Sequence, residues 1–176
     1  MNIKLKKVAI RIIEEIQADL DNWNTLNELF DLDINNSYKI DEKESSDNYK
    51  QFTDQFGIRH AVVALRNKGF IEIKAYPLKT DDKGRTLANF DTPKQYDPKV
   101  LNTYMNVIIN HYMEKYRKIL LQPIERHRHK LFRMCLNKFI DKSKWQMISN
   151  EKDLTIVLLK LDSHDLNEMI KEYQKK

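Results

Sequence analysis

A chain of 176 residues is long enough to bury roughly 70% of its unfolded surface around one core, so folding requires neither disulfides nor a structural metal. Three glycines and four prolines leave little material for a phosphate-cradling glycine loop, and the single cysteine, Cys135, excludes an internal disulfide and fits a reducing cytoplasm. The net charge of +5 is unevenly spread, with 7 Lys/Arg against 12 Asp/Glu in residues 1–57, 19 against 8 in residues 58–144, and 5 against 6 in residues 145–176.

The basic start, Met1 to Lys7, leads into an apolar stretch that Arg11, Glu14 and Glu15 interrupt and that lacks a small-residue cleavage site, so no signal peptide is expected. No run reaches the roughly 18 apolar residues of a membrane span, and the protein is expected to be soluble, with no membrane partner. Leu5, Val8, Ile12, Ile16 and Leu20 recur every three or four residues and predict a first helix over Lys4–Leu20. Thr25 and Glu28 have capping-box spacing and open a short second helix. A long polar loop, Asp31–Asn48, follows.

Ile58, Ala61, Val62 and Leu65 predict the inward face of a third helix, closed by Gly69 as its C-terminal cap. Alternation over Phe70–Tyr76, the loop Thr80–Arg85 and a strand Thr86–Phe90 predict a hairpin. Asp97-Pro98 is a strong helix start, and a helix over 98–121, apolar around most of its girth, serves as a central post or a homodimer interface. Gln122-Pro123 ends it. An amphipathic helix over Ile124–Ile140 follows, with Leu131, Phe132, Cys135, Leu136 and Phe139 inward and Arg126, His129, Lys130, Arg133 and Asn137 outward. A second hairpin, Trp145–Ser149 with Leu154–Leu161, precedes a last helix after Ser163. The expected class is α+β, mainly helical, with about six helices and two short hairpins. Residues 1–122 and 123–176 form two parts packed as one domain.

The run Gln55-Phe56-Gly57-Ile58-Arg59-His60 through Arg66-Asn67-Lys68-Gly69-Phe70, followed by a hairpin with a charged tip, resembles the end of a winged helix-turn-helix over about residues 49–90. The resemblance implies a DNA-binding module. Arg59, His60, Arg66 and Asn67 would then face the major groove, while Lys83 and Arg85 on the wing reach phosphates. The stretch Gly57–Gly69 is about a turn shorter than in common bacterial repressors. Independently of the resemblance, Arg126, Lys130 and Arg133 share a helical face that can track a phosphate backbone, with His129 beside them.

The first reading is therefore a protein that binds double-stranded DNA as a regulator or replication accessory, in keeping with a phage, plasmid or other mobile element. The alternative is a non-catalytic modulator or inhibitor of a partner complex, acting through the acidic segment 14–54, which holds 12 acids against Lys39, Lys43 and Lys50. A third reading is a metal-dependent nuclease, because Glu72-Ile73-Lys74 is the Glu-x-Lys pattern such enzymes carry on a strand; it also demands an upstream Asp on a neighbouring strand. No zinc-ligand spacing, P-loop, Gly-x-Ser-x-Gly or paired-cysteine motif is present, so no catalytic residue, metal or cofactor is expected.

Overall fold

The computed structural model describes residues 33–89, 97–123 and 126–161. Asp33 apart, these fall in one compact unit, 34–176. The predicted helices over Lys4–Leu20, at Thr25 and after Ser163 lie outside the described residues.

The described residues form seven strands and two main helices. They are β1 (Tyr49–Thr53), β2 (Arg59–Asn67), β3 (Phe70–Thr80), β4 (Thr86–Ala88), α1 (Pro98–Val107), β5 (Lys118–Leu121), α2 (Arg126–Phe139), β6 (Trp145–Asn150) and β7 (Thr155–Lys160). The sheet runs β1-β2-β3-β5-β7-β6, with β4 paired to the far end of β3. Every pairing is antiparallel except β3 with β5, where Ile71, Glu72 and Ile73 run parallel to Ile119, Leu120 and Leu121. The mainly helical expectation is thus overturned, and with it the winged-helix centre: the segment read as a recognition helix is strand β2.

The error has a physical cause. His60, Ala61 and Val62 are buried in succession, and Ala64 follows. A strand covered on both faces shows a continuous apolar run, and such a run also supplies apolar residues at three- and four-residue spacing. The turns decide the matter. Lys68 and Gly69 both have positive φ, 46° and 86°, between Asn67 and Phe70, which pair directly. This is the two-residue hairpin turn whose twist matches that of its strands, so Gly69 closes a hairpin rather than a helix.

The predicted helix over 98–121 is also shorter than expected. Asp97 caps it, its Oδ1 accepting from the Lys99 N–H at 3.0 Å. The helix continues through a π-helical turn, Ile108–Tyr112, and a last turn, Met113–Lys115, and the chain then extends as β5. Ile119 and Leu121 point into the core, exposed by 0% and 1%. The apolar girth of the sequence arose from joining a helix to a strand, and Leu101, Tyr104, Met105, Ile108, Tyr112 and Met113 are buried within this chain.

The β3–β4 hairpin, α2 and the β6–β7 hairpin match their sequence expectations. β5 sits between β3 and β7, so residues on both sides of Gln122-Pro123 share one sheet. The polar stretch before β1 is tied down: Asn106 donates to the Ile34 carbonyl, Tyr38 N–H to Thr103 Oγ1, Asp41 N–H to the Gln51 carbonyl and Lys115 to Asp47. Among the described residues no helix is long and apolar enough to cross a membrane.

The turn assignment predicts opposite effects at adjacent positions. Lys68→Asn, which suits a positive φ, should raise stability by about 0.5–1 kcal/mol, and Gly69→Ala should lower it by about 1–2 kcal/mol, both read from urea denaturation midpoints.

Candidate functional site

A buried polar cluster lies where β1, β2 and α1 meet. The loop after β1 carries Asp54, whose Oδ1 accepts the N–H groups of Phe56 and Ile58 at 2.9 Å each. Its Oδ2 is 3.0 Å from His60 Nε2, and His60 Nδ1 is 2.7 Å from the Tyr104 hydroxyl on α1. With Asp54 as acceptor, Nε2 holds the proton and Nδ1 accepts from Tyr104. Phe52 stacks on the imidazole at 5.0 Å. Beside this chain the Tyr38 hydroxyl donates to Asp97, accepts the Gln55 N–H at 3.0 Å, and its ring lies under Lys99.

This arrangement resembles a catalytic relay in composition and differs from one in what surrounds it. Tyr104 is held protonated by burial, and Tyr38 is pushed up to about 12 by burial and then by Asp97. Burial lowers the His60 pKa, opposed by its bond to Asp54. Asp54, His60 and Asp97 are exposed by 8%, 4% and 7%. Neither hydroxyl is activated, and each carboxylate is occupied by hydrogen bonds within the chain. The cluster clamps α1 and the β1–β2 loop to the sheet.

The residues assigned to DNA contact by the winged-helix resemblance are split, with Arg59 beside the hairpin that carries Lys83 and Arg85, and Arg66 and Asn67 at the other end of β2. His60 faces the core. Arg59 is half-buried and donates to Thr80 and Thr86, bolting β2 to the β3–β4 hairpin. Arg66 is exposed at the end of β2, whereas Asn67 donates to Glu72 at 3.0 Å. Lys83 and Arg85 occupy the exposed β3–β4 turn, with Arg85 paired to Asp81 at 2.7 Å.

Helix α2 forms where the sequence places it. Arg126 is exposed, Lys130 is half-buried, and Arg133 reaches Glu151 in the β6–β7 turn at 2.8 Å. His129 is a correction: it is 0% exposed, and its Nε2 lies 3.2 Å from both the Thr155 carbonyl and Ser149 Oγ. Its position three and seven residues before Phe132 and Leu136 places it on the inward face that those two already define. Arg128 and Lys138 add two cations that the face-by-face reading passed over. No Asp or Glu occurs in Arg126–Phe139.

The nuclease pattern can be tested by geometry. Glu72 and Lys74 do lie on a strand, 3.3 Å apart, and β2 is the neighbouring strand that the sequence reading lacked. Across from them stand Leu65 and Val63, which bring no acid. Asp54 contacts His60, whose side chain alternates to the opposite face of the sheet from Leu65 and Glu72. Among the described residues no group of three metal-capable side chains occurs. Burial pushes the Cys135 thiol up to about 12, which removes it as a nucleophile. Comparison with family models, with curated proteins and with solved structures finds no match.

The His60 environment makes a pH prediction. Its folded pKa lies below the ordinary 6.5, so below about pH 6.5 the unfolded chain binds a proton that the folded chain resists. Stability conferred by the neutral ring is complete above that pH and is lost as pH falls toward the folded value. The urea midpoint should drop between about pH 7.5 and 5.5 in the wild type, and by less in His60→Gln.

Proposed function

We propose that the protein is a non-catalytic binder of double-stranded DNA that grips the phosphate backbone with helix α2. The observation that carries this reading is the charge of α2: Arg126, Arg128, Lys130, Arg133 and Lys138 in fourteen residues, with no acid among them. Over residues 126–161 there are nine lysines and arginines against three acids, whereas residues 33–89 are nearly balanced at ten against nine. The cationic excess of the described chain is therefore local. A local excess is what counterion release requires, because each neutralised phosphate frees condensed cations.

Packing limits the kind of contact. His129, Phe132 and Leu136 hold α2 against the rest of the fold, so the helix cannot sink into a major groove on all sides. It lies along the backbone, and long cations on phosphates position a protein without reading bases. A helix of fourteen residues is about 21 Å long, matching several successive phosphates. This favours an accessory that binds duplex without a fixed operator.

The acidic-segment alternative has less support in the described residues. Asp47 is engaged by Lys115 and Asp54 by His60, so these acids serve the fold.

The test is a titration against random-sequence duplex at two salt concentrations. With three or four phosphates neutralised, affinity should fall roughly 40- to 150-fold between about 50 and 200 mM salt. Substituting Arg126, Lys130 and Arg133 together by Ala should reduce the slope of log K against log salt by about 3. Loss of the exposed Arg133–Glu151 pair should cost little stability. Absence of binding at low salt, or binding indifferent to salt, would refute the reading.

A further inference from the structure

Strand β6 ends the sheet, and β7 is its one neighbour among the described residues. The backbone pattern shows which of its groups face outward. Leu161 N–H donates to the Lys144 carbonyl at 2.9 Å, so residues 144 and 161 form a hydrogen-bonded pair. Antiparallel pairs alternate, and with Trp145 opposite Lys160 the next bonded pairs are Gln146 with Leu159 and Ile148 with Val157. The N–H and C=O groups of Met147 and Ser149 therefore point away from β7. The Trp145 N–H, which also points away, is taken by the Asp141 carbonyl.

Sheet edges are ordinarily protected by charge, proline or a bulge. Trp145-Gln146-Met147-Ile148-Ser149-Asn150 contains no charged residue and no proline. The cations stand beside the strand. Lys142 and Lys144 precede it, Lys144 standing 3.4 Å from Asp141 in an exposed pair, and helix α2 leans over it, with His129 above Ser149 and Arg133 reaching Glu151 at the end of the hairpin. Arg126 and Lys130 share the flank of Arg133 at helical spacing.

We propose that the β6 edge is a docking site for an extended acidic segment of a partner protein, which adds as a further strand. Main-chain bonds to Met147 and Ser149 supply the pairing, and alternate acidic side chains meet the α2 flank and Lys142 and Lys144. A second copy of this chain fits less well. In the two-fold register that pairs Met147 with itself, Lys142 faces Lys152; in the register that pairs Met147 with Ser149, Lys144 faces Lys152. Like charges directly opposite oppose pairing. The inference rests on the edge and not on duplex binding, and it is tested without nucleic acid.

The experiment is amide hydrogen exchange on the full chain with a capped peptide of about eight alternating Glu and Val residues, against its Lys–Val counterpart. The Glu peptide should slow exchange at Met147 and Ser149 about ten-fold at saturation, and the Lys peptide should not. Ser149→Pro removes an outward donor and should abolish binding, whereas Ser149→Ala should retain it. Should the proline chain fail to fold, Lys142→Glu with Lys144→Glu, outside the strand, should weaken binding of the Glu peptide by about ten-fold. Protection that is absent, that is equal for both peptides, or that appears away from β6 would overturn the proposal.

Discussion

The fold depends on the pairing of β3. Its eleven residues pair along one edge with β2 over Phe70–Pro77 and along the other with β5 over Ile71–Ile73 and β4 over Leu78–Thr80. It thus joins the β1–β2–β3–β4 meander to the second half of the sheet, which reaches it through the parallel β5. A parallel neighbour cannot be supplied by a tight turn, so the chain must cross the sheet between β3 and β5. Helix α1 makes part of that crossing and buries its apolar side against the sheet. The Tyr112 hydroxyl donates to the Val62 carbonyl, and Tyr104 bonds to His60, both on β2. The clamp formed by Asp54, His60 and Tyr104 is a consequence of this crossing.

The parts of the fold that were legible in the sequence are those with local chemical markers. Asp97-Pro98 announces a helix start by itself, the Asp81–Arg85 turn binds its own backbone through the Asp81 carboxylate, and α2 separates Phe132, Cys135 and Leu136 from Arg126, Lys130 and Arg133. β1, β2 and β5 were not legible. His60–Val62 of β2 are buried in succession, β1 has only Tyr49 and Phe52 as apolar residues, and β5 is four residues that continue an apolar helix, so only long-range pairing distinguishes these strands. The Lys68-Gly69 turn was the one local clue, and a helix cap uses the same glycine conformation.

The same contrast governs the site. The cations of α2 could be read because a charged helical face needs no distant partner to be recognised. The buried cluster could not, since Tyr38, Asp54, His60, Asp97 and Tyr104 are brought together from positions far apart in the chain. Its chemistry also shows why a histidine beside acids and hydroxyls is insufficient evidence of catalysis. What matters is whether a proton can leave, and burial holds both tyrosines protonated.

Lysine footprinting on the complex with duplex DNA tests the proposed role of α2 most directly. Protection of Lys130 and Lys138 from acetylation, with Lys83 in the β3–β4 turn still reactive, is the result this account predicts. Protection of Lys83 with Lys130 and Lys138 as reactive as in the free protein would contradict it, and would place the interface on the hairpin instead.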